Sequence, residues 1–229
     1  MKKALLIVLV LGLAVSAAFA VDFTELDFEA YAGFSMSQYK AEGLKDATLW
    51  GNTVALSEAN GSKLAYGATL GVRTALVDHL YVFTEADVNF SSMKTYVIDA
   101  ALGGLFYFVD SGFHLGIGAK AGFFSLVNYL ATINFNYYGY DKNGKYFSGN
   151  KGDSITYDVM GLFVTPFLDM SFDVGKMLSI GATVGYKLGF SFKDAVMVAG
   201  KHDIGKLPDQ DPKVSPNGLT ASLYVLYRF

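Results

Sequence analysis

The 229-residue chain has no cysteine, four prolines, three histidines and one tryptophan. Without cysteine there can be no disulfide framework, no thiolate metal site and no lipidated cysteine after a leader. Cations are not in excess, with 18 Lys and Arg against 21 Asp and Glu, so the chain lacks the basic footprint of a nucleic-acid binder. After the first twenty residues no stretch is long and apolar enough for a membrane helix, which needs about 20 such residues. Yet 52% of the chain is hydrophobic and 15% aromatic. The apolar side chains must therefore be spread along the chain in a regular way.

Lys2 and Lys3, the apolar run from Ala4 to Val15, and Ala18-Phe19-Ala20 make the charged, apolar and small-x-small parts of a secretory leader. Residues 1–20 are expected to be this leader. Residues 21–229 then form one domain, with 16 cations against 21 acids and a net charge of −5.

The regular spacing has period two. Leu26, Phe28, Ala30, Ala32, Phe34 and Met36 alternate with Asp27, Glu29, Tyr31, Gly33 and Ser35. Similar alternation covers 64–73, 80–90, 96–109, 113–123, about 157–172, 178–190 and 221–229. In the sixth segment the phase is expected to change at a bulge near Pro166, because proline cannot donate a ladder hydrogen bond. Short turns lie at 77–79, 110–112 and 173–176, and a compact loop at 91–94. Long connections lie at about 38–62, 125–153 and 193–217. Alternating short and long connections, with one apolar face throughout, predict an eight-stranded antiparallel up-and-down β-barrel spanning a membrane. A ten-strand barrel using the 125–153 connection would need a further short turn that the sequence does not supply.

The last segment ends Tyr227-Arg228-Phe229, which resembles the carboxyl-terminal aromatic signal of bacterial outer-membrane proteins. Strand number, chain length and the mixed inner face together resemble the small barrels of OmpA and OmpX type. The OmpW type is a second relative, from whose apolar lumen the charged inner face departs. The resemblance implies a bacterial outer-membrane location, with long loops extracellular and both termini periplasmic. It implies contact with outer-membrane lipid and lipopolysaccharide, delivery to the barrel-assembly machinery through the terminal strand, and an extracellular protein partner. No cofactor and no metal are implied, and no domain is expected after Phe229.

Inner positions carry Glu29, Arg73, Glu85, Asp87, Asp99, Lys120 and Lys187. In a narrow lumen these must pair or meet water. A turn centred on His79 would set Arg73 opposite Glu85. Past Phe123 the alternation continues through Tyr129, Ile133, Phe135 and Tyr137 to a tight turn at Asp141-Lys142-Asn143-Gly144, which predicts a hairpin above the membrane with an apolar stripe, either offered to a partner or packed against lipopolysaccharide or the first long loop.

Three functions are consistent with this pattern. The first is a surface interaction barrel acting through that hairpin, in the manner of an adhesin. The second is a narrow pore gated by the lumen charges. The third is a lipid-modifying enzyme using His202, the one histidine expected on the outer side, with Ser215 in the same loop. Asp203, Asp209 and Asp211 lack calcium-loop spacing. Trp50 is expected to be a packing anchor in the first long loop.

Overall fold

The computed structural model describes residues 27–207 and 209–229; the leader expected at 1–20 and Leu26 lie outside them. Eight long strands form the frame: β1 (Phe28–Glu42), β2 (Gly61–Val77), β3 (Leu80–Ser92), β4 (Thr95–Asp110), β5 (Phe113–Thr132), β6 (Ser154–Asp173), β7 (Leu178–Val198) and β8 (Gly218–Arg228). Each pairs antiparallel with its neighbour in sequence, and β8 returns to pair with β1. Closure gives every wall strand a partner on both sides, which is the condition for a sheet in hydrocarbon.

Following the register from Leu162 through Phe123, Ala100, Ala86, Leu70, Ala32, Val225 and Ile180 leads back to β6 at Phe172, ten residues along. Such a stagger tilts the strands by about 40°. Ten residues at roughly 3.3 Å each then climb about 25 Å, the height of an outer-membrane apolar band. Outward side chains over this height, such as Leu70, Ile117, Leu168, Ile180 and Leu223, are all exposed. Aromatic residues edge the band: Tyr66, Phe90, Tyr186 and Phe190 toward the long loops, Phe106, Phe108, Phe172 and Phe229 toward the short turns.

Two local expectations are corrected. Pro166 is not a bulge: it stands opposite Ala119 within unbroken pairing, and inward burial continues through Phe163, Thr165, Asp169 and Ser171. The irregularities of β6 lie higher, at Ile155/Thr156 against β5 and Met160/Gly161 against β7. Arg73 does not face Glu85, because a register shift between Ala75 and Val77 sets Arg73 opposite Phe83 and Glu85 opposite Gly71.

Above the ring the three long connections fold together as a cap with an apolar core. Leu44, Leu49 and Leu56 come from the first, Ile133, Tyr137 and Phe147 from the second, and Leu207 and Val214 from the last. Two small hairpins support it, Ala47–Leu49 with Asn52–Val54 and Tyr137–Tyr140 with Tyr146–Gly149. Trp50 and Gly51 turn the first with φ of 52° and 80°, the paired positive angles that a two-residue hairpin turn requires. The turn aims the Trp50 ring onto Tyr137, 4.6 Å between centroids, with Phe147 edge-on at 6.3 Å. Trp50 is thus a packing anchor between two loops.

Candidate functional site: the lumen and the cap

All seven expected lumen charges point into the ring, and the structure sorts them into two clusters. Toward the cap, Lys187 is ion-paired with Asp99 and Lys120 with Glu85, while Asp87 lies 3.4 Å from Lys120. The Tyr31 hydroxyl donates to Glu85 at 2.9 Å, and the Lys187 ammonium sits 4.8 Å over the Phe163 ring. Toward the short turns, Arg73 pairs with Glu29 and donates to the Tyr107 hydroxyl at 2.5 Å. The Tyr107 and Tyr224 hydroxyls both donate to Asp169, each at 2.8 Å. Fully enclosed charges are tolerated only when paired and hydrogen-bonded in this way.

Between the clusters lies an aromatic layer, with Phe83 and Phe167 5.7 Å apart and nearly perpendicular. The interior cavity beside it, lined by Arg73, Glu85, Phe167 and Asp169 among others, measures about 30 Å³, room for a water or two. Tyr107, Asp169 and Tyr224 complete the lower cluster and were missed from sequence. The assumed phase break at Pro166 hid Asp169, which unbroken counting from Phe163 would have placed inside.

At the short-turn end the cluster continues to the rim. Asp110 is shared by His79, at 3.2 Å, and His114; the second nitrogen of His114 lies 3.1 Å from Asp173. Arg228 bonds Glu29 at 2.7 Å and Asp173 at 2.8 Å, joining β8 to strands on both sides of the ring. Tyr227 and Phe229 face outward here, edge-on at 5.1 Å.

Of the two expectations for the stripe, packing against the first long loop holds, and the stripe is not displayed. Ile133 and Tyr137 are 0% and 3% exposed, Phe135 packs against the same core, and Tyr129 is half-buried with Lys94 5.1 Å over its ring. The opposite face of the hairpin is the displayed one: Tyr138, Tyr140 and Tyr146 are 72%, 68% and 58% exposed. Gly139 is required here, since a Cβ would stand 2.5 Å from the Trp50 indole nitrogen.

The cap's acids are committed to holding its turns. Asp153 accepts from the Asn150 N–H and the Tyr137 hydroxyl, and these bonds hold its carboxyl below the usual range. Asp46 is lowered likewise by the side chain and N–H of Ser57 and the N–H of Leu56. Asp203 pairs with Lys142 and accepts from the Gly205 N–H. His202 lies flat on Phe147, 4.3 Å between centroids at 8°. Among the described residues no three His, Asp or Glu side chains are grouped to hold a metal.

No protein-family model and no curated protein sequence matches the chain. Solved structures do. The outer membrane protein OprG from Pseudomonas aeruginosa is 13% identical and aligns over 89% of this chain and 96% of its own, with a TM-score of 0.52. Neisserial surface protein A is 14% identical over 88% of this chain and 97% of its own, at 0.47. Ail, the attachment invasion locus protein of Yersinia pestis, is 14% identical over 90% and 99%, at 0.44. The likeness to OprG is one of fold, and it agrees with the closed ring of eight: the chain folds as a small eight-stranded outer-membrane β-barrel.

Proposed function

We propose that the protein is a closed barrel of the bacterial outer membrane whose extracellular cap is an interaction module, the ring serving as its anchor. In this orientation the long loops are extracellular and both ends of the barrel chain periplasmic. The observation that carries the reading is the cap core, in which Leu56, Ile133 and Tyr137 are buried above the membrane band. Anchoring alone would not need loops folded around their own core, whereas a rigid surface for a partner does. Charge pairs and the Phe83–Phe167 layer fill the lumen, which favours this reading over the gated pore. Outer-membrane lipid is the ring's partner, an extracellular protein the cap's, and Tyr227 with Phe229 the handle for barrel assembly.

The test is single-channel recording of the refolded barrel in planar bilayers, beside Arg73→Ala. Silence from both, with heat-modifiable mobility reporting a folded barrel, is expected. Reproducible steps that grow in the variant would establish the pore instead. The lipid-enzyme reading is addressed by His202→Ala, for which stacking on Phe147 predicts a change in cap stability and none in membrane lipid composition.

A further inference from the structure

The seam between β7 and β8 does not stay closed above the membrane band. β8 begins at Gly218, opposite Lys187, while β7 runs on to Val198 and β1 to Glu42. The chain just before β8, residues Lys213–Ser215, continues beside β1, with Lys40 opposite Ser215 and Glu42 opposite Lys213, but forms no ladder with β7. Pro216 accounts for the parting. It has no N–H to give the ladder, and its ring lies over the face of Gly189, 2.5 Å from where a Cβ would stand there.

The wall therefore divides into a V. On the β7 arm, the Gly189 N–H is taken by the Asn217 side chain at 2.6 Å, and the next bond on that edge is Val196 N–H to the Gly205 carbonyl at 3.4 Å. Between them, among the described residues, Ser191, Lys193 and Asp194 have ladder partners only in β6, and the arms are linked there by a side chain, the Tyr157 hydroxyl, which reaches the Asp194 carboxylate and the Pro212 carbonyl. Residues 190–194 are exposed one after another, on both faces of the strand, as expected of a wall strand that lacks one neighbour. The V encloses a cavity of about 440 Å³. Its floor is Tyr157, Val159 and Val214, all buried, and its rims carry Asp194 on one side and Lys213 on the other.

We propose that this V is a docking slot for one extended peptide segment of an extracellular protein, inserted as an extra strand between β7 and residues 213–215. Two facing strand edges favour a strand over any other guest, because both of its edges would find partners. Its alternate side chains would point to the Val159–Val214 floor, which selects small apolar residues there. Opposite charges on the two rims suit a peptide backbone of no net charge. The slot rests on the reading of the cap as an interaction module and names the chemistry of its partner.

The probe is an acetylated and amidated Thr-Val-Thr-Val-Thr peptide, added to the refolded barrel in nanodiscs while amide hydrogen exchange is followed. Within 190–195 and 213–215, the slot-facing amides, those not bonded in the β6 or β1 ladders, are expected to exchange fast in the free protein and to slow at least tenfold with the peptide. The same peptide N-methylated at alternate amides should give no slowing. Ser191→Pro removes a donor on the slot edge, and is expected to keep the folded mobility while abolishing protection. Slot-facing amides already slow without peptide would overturn the proposal, as would protection by the N-methylated peptide or undiminished protection in folded Ser191→Pro. Lipopolysaccharide slowing the same amides when the peptide does not would likewise overturn it. Trp50 emission and conductance in the same preparations separate the two claims: an ordered cap on a silent barrel that ignores the peptide defeats only the slot, whereas open channels defeat the interaction reading.

Discussion

Barrel and cap enclose opposite chemistry. In the ring, Lys187, Asp99, Arg73 and Glu29 are enclosed while Leu70, Ile180 and Leu223 face out. In the cap, Leu56, Ile133 and Val198 are enclosed and the hydroxylated face of Tyr138, Tyr140 and Tyr146 is displayed. Single strands cross from one regime to the other. Along β5, Lys120 points in and Phe123 out, and a few residues on Leu126 and Leu130 are buried while Ser125 and Tyr129 are half-exposed. The backbone alternation is the same throughout. What changes is the medium outside the wall: lipid draws apolar side chains outward, and water drives them inward.

If the two regimes are separate, damage to one should spare the other. The largest effect is expected from Arg73→Ala, which takes from Glu29 the more deeply buried of its two cations and from the Tyr107 hydroxyl its donor. Breaking such a pair costs about 3–5 kcal/mol, to be read as a lower urea midpoint for barrel unfolding in liposomes with Trp50 emission unchanged. Ile133→Ala should cost about 2–5 kcal/mol and act the other way, making the cap protease-sensitive while heat-modifiable mobility persists. Gly139→Ala drives a methyl against Trp50, an overpacking worth about 1–3 kcal/mol. A red shift of Trp50 emission would report it, and Trp50 is the chain's single tryptophan. The smallest effect concerns acid. Because Asp153 titrates below its unfolded value, its contribution is complete above about pH 4 and is lost as pH falls through the lowered folded value. Acid titration followed through Trp50 should therefore loosen the cap while the barrel mobility holds, and Asp153→Asn should remove the part of that dependence that Asp46 does not supply.

Much of the barrel was legible because period-two alternation determines which residues share a face. Eight strands, the seven inner charges and the outward aromatics followed from it directly. The pairings did not. Glu29 meets Arg73 because the register of β1 on β2 sets them opposite, and Lys187 meets Asp99 across the lumen through the stagger of the ring, and neither leaves a mark in hydrophobic pattern. Tyr107, Asp169 and Tyr224 meet across the lumen from strands that are not neighbours. The cap stayed undecided for a different reason. Alternation through Tyr129, Ile133 and Tyr137 shows that one face is apolar, but whether that face is displayed or enclosed depends on Trp50 and Leu56, far away in sequence.

Arg228 lends the closing seam a property beyond stability. It stands opposite Glu29 across the junction of first and last strands and also reaches Asp173. A slip of two residues there would keep every side chain on its proper face, so hydrophobicity alone could not detect the fault. It would bring Leu226 to the Glu29 position and leave the guanidinium without either carboxylate. The seam thus carries its own proofreading mark, one that distinguishes a correctly joined ring from a misjoined one by charge.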